Sequence, residues 1–137
     1  MNSDFVEWKE QYVVGIDIID KQHKTLLHII NKLFGACKAG KQEADKSFGS
    51  ILKKAVEYVK THFSTEENLM IEHKYPDLGA HKRLHQEFVR RILLSAGEFQ
   101  KGKNFVPNNF VRFLKDWLLE HIAITDRKLG VFIKNKS

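Results

Sequence analysis

The sequence holds a single cysteine, Cys37, so it can form no internal disulfide and no thiolate metal cluster. Two prolines and eight glycines are too few for a turn-dense β-sandwich. No apolar run approaches the roughly 20 residues that cross a membrane as a helix, so no membrane insertion is expected. The opening MNSDFVEWKE carries acids and a tryptophan where a secretory leader would carry basic residues and then an apolar stretch. A cytoplasmic protein is expected on that ground. No segment repeats at a fixed period. What is present is a chain of 137 residues, one domain's worth, with 42% apolar and 29% charged residues, a balance that argues against disorder.

Two features stand out: a net charge of +6 and seven histidines. The basic doublets Lys53-Lys54, Lys82-Arg83, Arg90-Arg91 and Arg127-Lys128 are spread over different segments, with no aromatic residues interleaved for base stacking. They read as a solvated exterior, and no nucleic-acid partner is expected.

Residues 1–19 read as an extended arm that lays its aromatics, Phe5, Trp8 and Tyr12, against the domain. Four helical patterns follow, each with apolar residues at three- and four-residue steps. The first runs from about Asp20, a candidate N-cap, to Lys38, and Gly40 suits its left-handed end. The second starts near Glu43 to Asp45 and stops near His73, before Pro76. The third covers about Leu78 to Gln100. The fourth takes Pro107 in its first turn and ends near Asp126 to Leu129, with a short tail after Gly130. Short links make successive helices antiparallel. The expectation is an all-α, up-down-up-down four-helix bundle over about residues 20–129, forming a single domain of residues 1–137.

The histidines fall on the apolar stripes. His23, His62, His81, His85 and His121 each sit among Leu, Ile, Phe and Trp, while His28 and His73 read as surface or helix-end residues. Glu66 shares a face with His62, and His81 shares one with His85, because four residues make about one turn. His121 and Asp126 are five apart. That is about 140° around an ideal helix, so Asp126 must reach inward from a helix end or a local irregularity. Five imidazoles and two carboxylates buried without partners would cost several kcal/mol each, against a total stability of about 5–15 kcal/mol. A metal is the natural compensation, since neutral imidazole and carboxylate are first-row metal ligands. Seven donors are too many for one ion and suit two. If both carboxylates bridge, the ion with three histidines is filled and the ion with two keeps a vacancy, which suits capture of a small molecule.

Four motifs carry a resemblance. W-x3-Y-x-V-G-I-x2-I-D-x-Q-H-K-x-L spans Trp8 to Leu26, and H-F-x2-E-E-x2-M spans His62 to Met70. H-x3-H spans His81 to His85, and W-L-x2-H-I-x3-D spans Trp117 to Asp126. With these the sequence resembles the hemerythrin family, specifically its bacterial single-domain members. The resemblance implies two iron ions, Fe2+ or Fe3+, with an oxo or hydroxo bridge, binding O2 reversibly for transport, storage or delivery. It implies His81, His85 and His121 on the filled iron, His23 and His62 on the open one, and Glu66 and Asp126 as bridges. It implies an O2 pocket of Leu26, Phe63, Trp117, Leu118 and Ile122, with NO, azide or similar anions as other ligands of the open iron. Glu67 would stand behind the ligands or face solvent. Leu129 departs from the family, where many bacterial members carry Tyr. Oxygen or NO sensing, detoxification, and a di-iron oxidase or peroxidase are the alternatives. A sensor needs an output domain, which tilts the expectation toward delivery or storage. The ferritin-like oxidases use paired Glu-x-x-His motifs, which this sequence lacks, so no enzyme activity is expected.

Overall fold

The computed structural model describes residues 6–38, 41–101 and 107–136. After a short 3-10 turn, Glu10–Tyr12, come α1 (Asp17–Lys38), α2 (Lys41–Glu72), α3 (Leu78–Lys101) and α4 (Pro107–Glu120). A π-helical segment, His121–Asp126, follows directly, and α5 (Arg127–Lys136) continues from it. The residues flanking the π segment, Glu120 and Arg127, both have right-handed helical backbone, so Pro107–Lys136 is one unbroken helix. The expected four-helix bundle is present, with no strand among the described residues.

The core explains the antiparallel order. Most buried apolar residues form one large cluster that includes Leu26, Ile30, Val59, Phe63, Phe88 and Leu118. A second, smaller cluster holds Val14, Ile19, Met70, Tyr75 and Leu129. Along α1 the chain passes from Ile19 through His23 to Leu26, that is, from the small cluster to the large one. Along α2 it returns, from Val59 through His62 and Glu66 to Met70. It climbs again from Tyr75 through His81 and His85 to Phe88, and descends from Leu118 through His121 and Asp126 to Leu129. Every helix thus crosses one polar layer held between two apolar ones. The Phe88 and Trp117 rings stack at 3.8 Å and seal α3 to the last helix.

Three expectations about boundaries change. The arm is shorter than residues 1–19, because α1 already begins at Asp17. Asp20 is therefore not an N-cap. Its carboxylate instead accepts the backbone N–H groups of Val14 at 2.8 Å and Gly15 at 3.1 Å, pinning the arm from inside the helix. Asn31 pins it further along: its amide exchanges two 2.9 Å hydrogen bonds with the backbone of Val6. Tyr12 is buried and Trp8 half-buried, as the arm's packing requires, whereas Phe5 lies outside the described residues. Gly40 also lies outside them. The tail after Gly130 is helical, because Leu129, Phe132 and Ile133 pack into the small cluster.

The end of α2 has a cause that Pro76 alone does not supply. Lys74 takes a left-handed conformation at φ 53°. The N–H of Tyr75 reaches the Met70 carbonyl and that of Lys74 reaches Ile71, which together close a Schellman cap. Leu84, next to His85 and on the three- and four-residue steps of α3, is 38% exposed.

Candidate metal centre

The polar layer gathers all seven residues. His81, His85, His121, Glu66 and Asp126 each offer one ligand atom within 4.8 Å of the others, and His23, His62, Glu66 and Asp126 form a second such group. The two groups share both carboxylates. Glu66 and Asp126 have no exposed surface, and all five histidines are buried. His28 is exposed and His73 half-buried. Asp126 enters the layer through the π segment, the local irregularity that its spacing demanded.

The Nε2 atoms converge. Nε2 of His81 and of His121 each lie 3.0 Å from Oδ1 of Asp126, and Nε2 of His85 lies 3.1 Å from Oε1 of Glu66. His23 Nε2 is 2.9 Å from Oδ2 of Asp126. Yet His62 Nε2, His81 Nε2, both Glu66 oxygens and Oδ1 of Asp126 make no well-aligned hydrogen bond. They are close to one another but aim at common centres between them. Five unsatisfied buried polar atoms would cost roughly 5–15 kcal/mol together, as much as the whole domain's stability. A cation at each centre removes that penalty, and imidazole with carboxylate suits iron, zinc or manganese. The residues present therefore fit a two-metal site.

Electrostatics point the same way. Burial pushes the His62 imidazole down to about 4, against the pull of Glu66. Burial and the charge of Asp126 push the Glu66 carboxyl up, but the imidazoles of His62, His121 and His81 outweigh them and bring it down to about 2. Burial likewise opposes ionisation of Asp126, and His121, His23 and His81 outweigh it, holding that carboxyl well below its usual range. Burial also disfavours charge on His121, yet the adjacent carboxylates of Asp126 and Glu66 prevail and raise it to about 9. His81 moves upward for the same reason. In the metal-free chain, the charged form of His121 thus offsets part of the charge of the two carboxylates. A bound metal cation would take over that role.

The sequence matches the family model for the hemerythrin HHE cation binding domain over residues 14–133. The chain belongs to the hemerythrin family. It is 33% identical to the bacteriohemerythrin of Stenotrophomonas maltophilia, over 93% of this chain and 80% of that protein. To the bacteriohemerythrin of Methylococcus capsulatus it is 31% identical, over 88% of this chain and 89% of the other. A crystal structure of wild-type hemerythrin is 30% identical and superposes with a TM-score of 0.85, covering 92% of this chain and 95% of that one. Membership in this family and the clustered donors support a metal-binding, oxygen-related role. No described helix is long and apolar enough to cross a membrane.

The five residues that the hemerythrin resemblance assigns to an O2 pocket take three different places. Leu26 and Leu118 line a narrow cavity of about 10 Å³ whose walls are entirely apolar. Phe63 and Trp117 clamp ligand rings. Phe63 stacks on His85 at 3.7 Å, and Trp117 stacks on His121 at 4.5 Å. Ile122 is fully buried beside His121. Leu129 lies in the small cluster with Tyr75, whose ring meets His81 edge-on at 6.3 Å.

Behind the ligands stand groups that periodicity did not reveal. Nδ1–H of His62 donates to Oε1 of Gln22 at 2.7 Å, and Gln22 donates in turn to the Thr65 hydroxyl at 3.2 Å. Nδ1–H of His85 donates to Oε2 of Glu67 at 3.0 Å, which puts Glu67 behind the ligands. The resemblance left Glu67 either behind the ligands or facing solvent, and neither it nor the adjacency of Gln22 to His23 named His85 or His62 as the partner.

Proposed function

We propose that this hemerythrin-family chain holds two iron ions in its polar layer and binds O2 reversibly, for oxygen storage or delivery. His81, His85 and His121 would hold one ion, His23 and His62 the other, with Glu66 and Asp126 shared. The observation that carries this reading is the pair of donor groups that overlap in both carboxylates. Three imidazoles against two leaves one ion a ligand short, and so able to take a small ligand. When bound, the iron pair supplies two electrons that O2 can take and give back.

The chain's own residues set the conditions for reversibility. Leu26 lies one turn beyond His23 and Leu118 one turn before His121, so both mark the centre's end of a cavity that Leu33, Leu52 and Leu114 close further along the bundle. Its apolar walls offer water no hydrogen-bond partner, and at about 10 Å³ it has no room for an organic substrate. Phe63 and Trp117 hold the rings of His85 and His121 by stacking, which limits ligand motion during exchange. NO and small anions such as azide would compete for the same position. The apolar side chains on the Leu26 and Leu118 side limit the approach of protons and water to the centre, which opposes loss of bound oxygen as peroxide.

One sample tests this. Iron analysis should give about two ions per chain. Air should produce oxo-to-iron charge-transfer bands, and deoxygenation should remove them. A single zinc without colour would defeat the metal reading. Sustained turnover of peroxide with a reductant would replace the carrier by an oxidase or peroxidase.

A further inference from the structure

His62 and His85, the two imidazoles hydrogen-bonded to side chains through Nδ1, belong to different donor groups. Each bond also crosses a helix interface. Gln22 of α1 holds His62 of α2, and Glu67 of α2 holds His85 of α3. By contrast, Nδ1 of His23 and Nδ1 of His81 are buried without a hydrogen-bond partner.

The direction of each bond is determined by its far end. The Thr65 hydroxyl donates to the backbone carbonyl of Thr61 at 3.1 Å. Having spent its one proton, the Thr65 oxygen can only accept from Gln22, so the Gln22 amide nitrogen turns toward it. That leaves Oε1 of Gln22, which is only an acceptor, facing His62. The proton of His62 must therefore sit on Nδ1, and the lone pair on Nε2 points into the centre. At the other histidine a carboxylate is also only an acceptor, and it dictates the same tautomer for His85.

We propose that Gln22 and Glu67 are positioning residues, one for each metal, that preset His62 and His85 as Nε2 ligands, with Thr65 orienting Gln22. This rests on the two-metal reading above. The two locks differ in chemistry. A carboxylate acceptor makes its imidazole a stronger donor to metal than an amide does. The ion held by the three-histidine group therefore receives the more basic ligand and is retained more firmly. The ion of the two-histidine group is held by a neutral lock, which suits a position that exchanges a small ligand.

The test uses the full chain loaded with zinc, which is diamagnetic, and follows both the imidazole Nδ1–H resonances by 15N-edited NMR and the release of zinc to a chelator. Wild type should carry two zinc ions and show protected Nδ1–H signals for His62 and His85. Gln22→Leu should release one of the two ions about 10- to 100-fold faster, and Glu67→Leu the other, the loss usual for removing such a partner. Thr65→Val should reproduce part of the Gln22→Leu effect. Glu67→Gln and Gln22→Glu keep an acceptor and guard against a collapsed fold. Both should keep the Nδ1–H signal, while the first speeds release and the second slows it. Release rates within twofold of wild type in both leucine variants would overturn the proposal. So would an Nε2–H tautomer at either histidine of the wild-type chain. Failure of wild type to take up two ions would defeat the metal reading instead, and the tautomers read on the metal-free chain would still decide for or against the two locks.

Discussion

Asp126 lies five positions after His121, yet Nε2 of His121 lies 3.0 Å from Oδ1 of Asp126. On an ideal α-helix the two would point about 140° apart. The π segment His121–Asp126, with i→i+5 pairing, brings them to one face. The same extra residue swings Ile124 outward, to 53% exposure, although a regular stripe would bury it. One local change of helix type thus exchanges an apolar side chain for a carboxylate in the polar layer.

Deleting Ile124 should convert the segment to regular α-helix and leave Asp126 four positions after His121, still on its face. Bound metal should stay at two ions per chain, with helical circular dichroism kept. Asp126→Ala, which keeps the helix and removes the carboxylate, should lose at least one ion. Loss of metal from the deletion variant would show that the π turn does more than bring Asp126 to the face of His121.

His81→Ala should remove one ion, because His81 is buried among Glu66, Asp126 and the neighbouring imidazoles. His28→Ala, on an exposed position, should keep two. Metal analysis after exhaustive dialysis reads both outcomes. Equal loss in the two variants would mean that the metal does not sit in the polar layer.

The metal-free chain should be most stable near pH 6.5. His62, lowered from 6.5 to about 4, stays neutral when folded, so the unfolded chain gains its proton first and stability falls as pH drops from 6.5 toward 4. His121, raised from 6.5 to about 9, contributes stability fully present below pH 6.5 and lost as pH rises through 9. Glu66, lowered from 4.5 to about 2, adds a further loss between those two values. In the loaded protein cations replace the protons, so the alkaline loss should vanish. Thermal unfolding from pH 4 to 10, with and without metal, checks both limbs. Loading at neutral pH should also release a proton from His121.

Gly130→Ala should destabilise the fold by about 1–3 kcal/mol or more, because its Cβ would overlap the Val14 carbonyl oxygen and Cγ1. Gly35→Ala should instead stabilise it by about 0.5–1 kcal/mol, since nothing lies within 4 Å and the position is inside α1. Denaturant midpoints compare the two. A neutral Gly130→Ala would mean that the arm does not press against α5.

Much of this protein is legible along single helices. Stripes such as Leu26, Ile30 and Leu33 announce α1, and histidines set in such stripes announce the polar layer, because the helical period places residues three and four apart on one face. What lies between helices is not. Asp20 resembled a cap and proved to be a clamp on Val14 and Gly15, a role that depends on where the arm folds back. Lys74 ends α2 in a left-handed conformation that a glycine would have advertised.

The sequence by itself determined the bundle, its order and the seven donors, since burying that many polar groups demands a shared partner. Only the tertiary structure decided how Asp126 turns inward, which apolar residues leave a cavity, and that Gln22 and Glu67 hold His62 and His85. Those outcomes depend on the axial offset of one helix against the next. Periodicity within a helix carries no record of that offset, because it is set by packing among all of them at once.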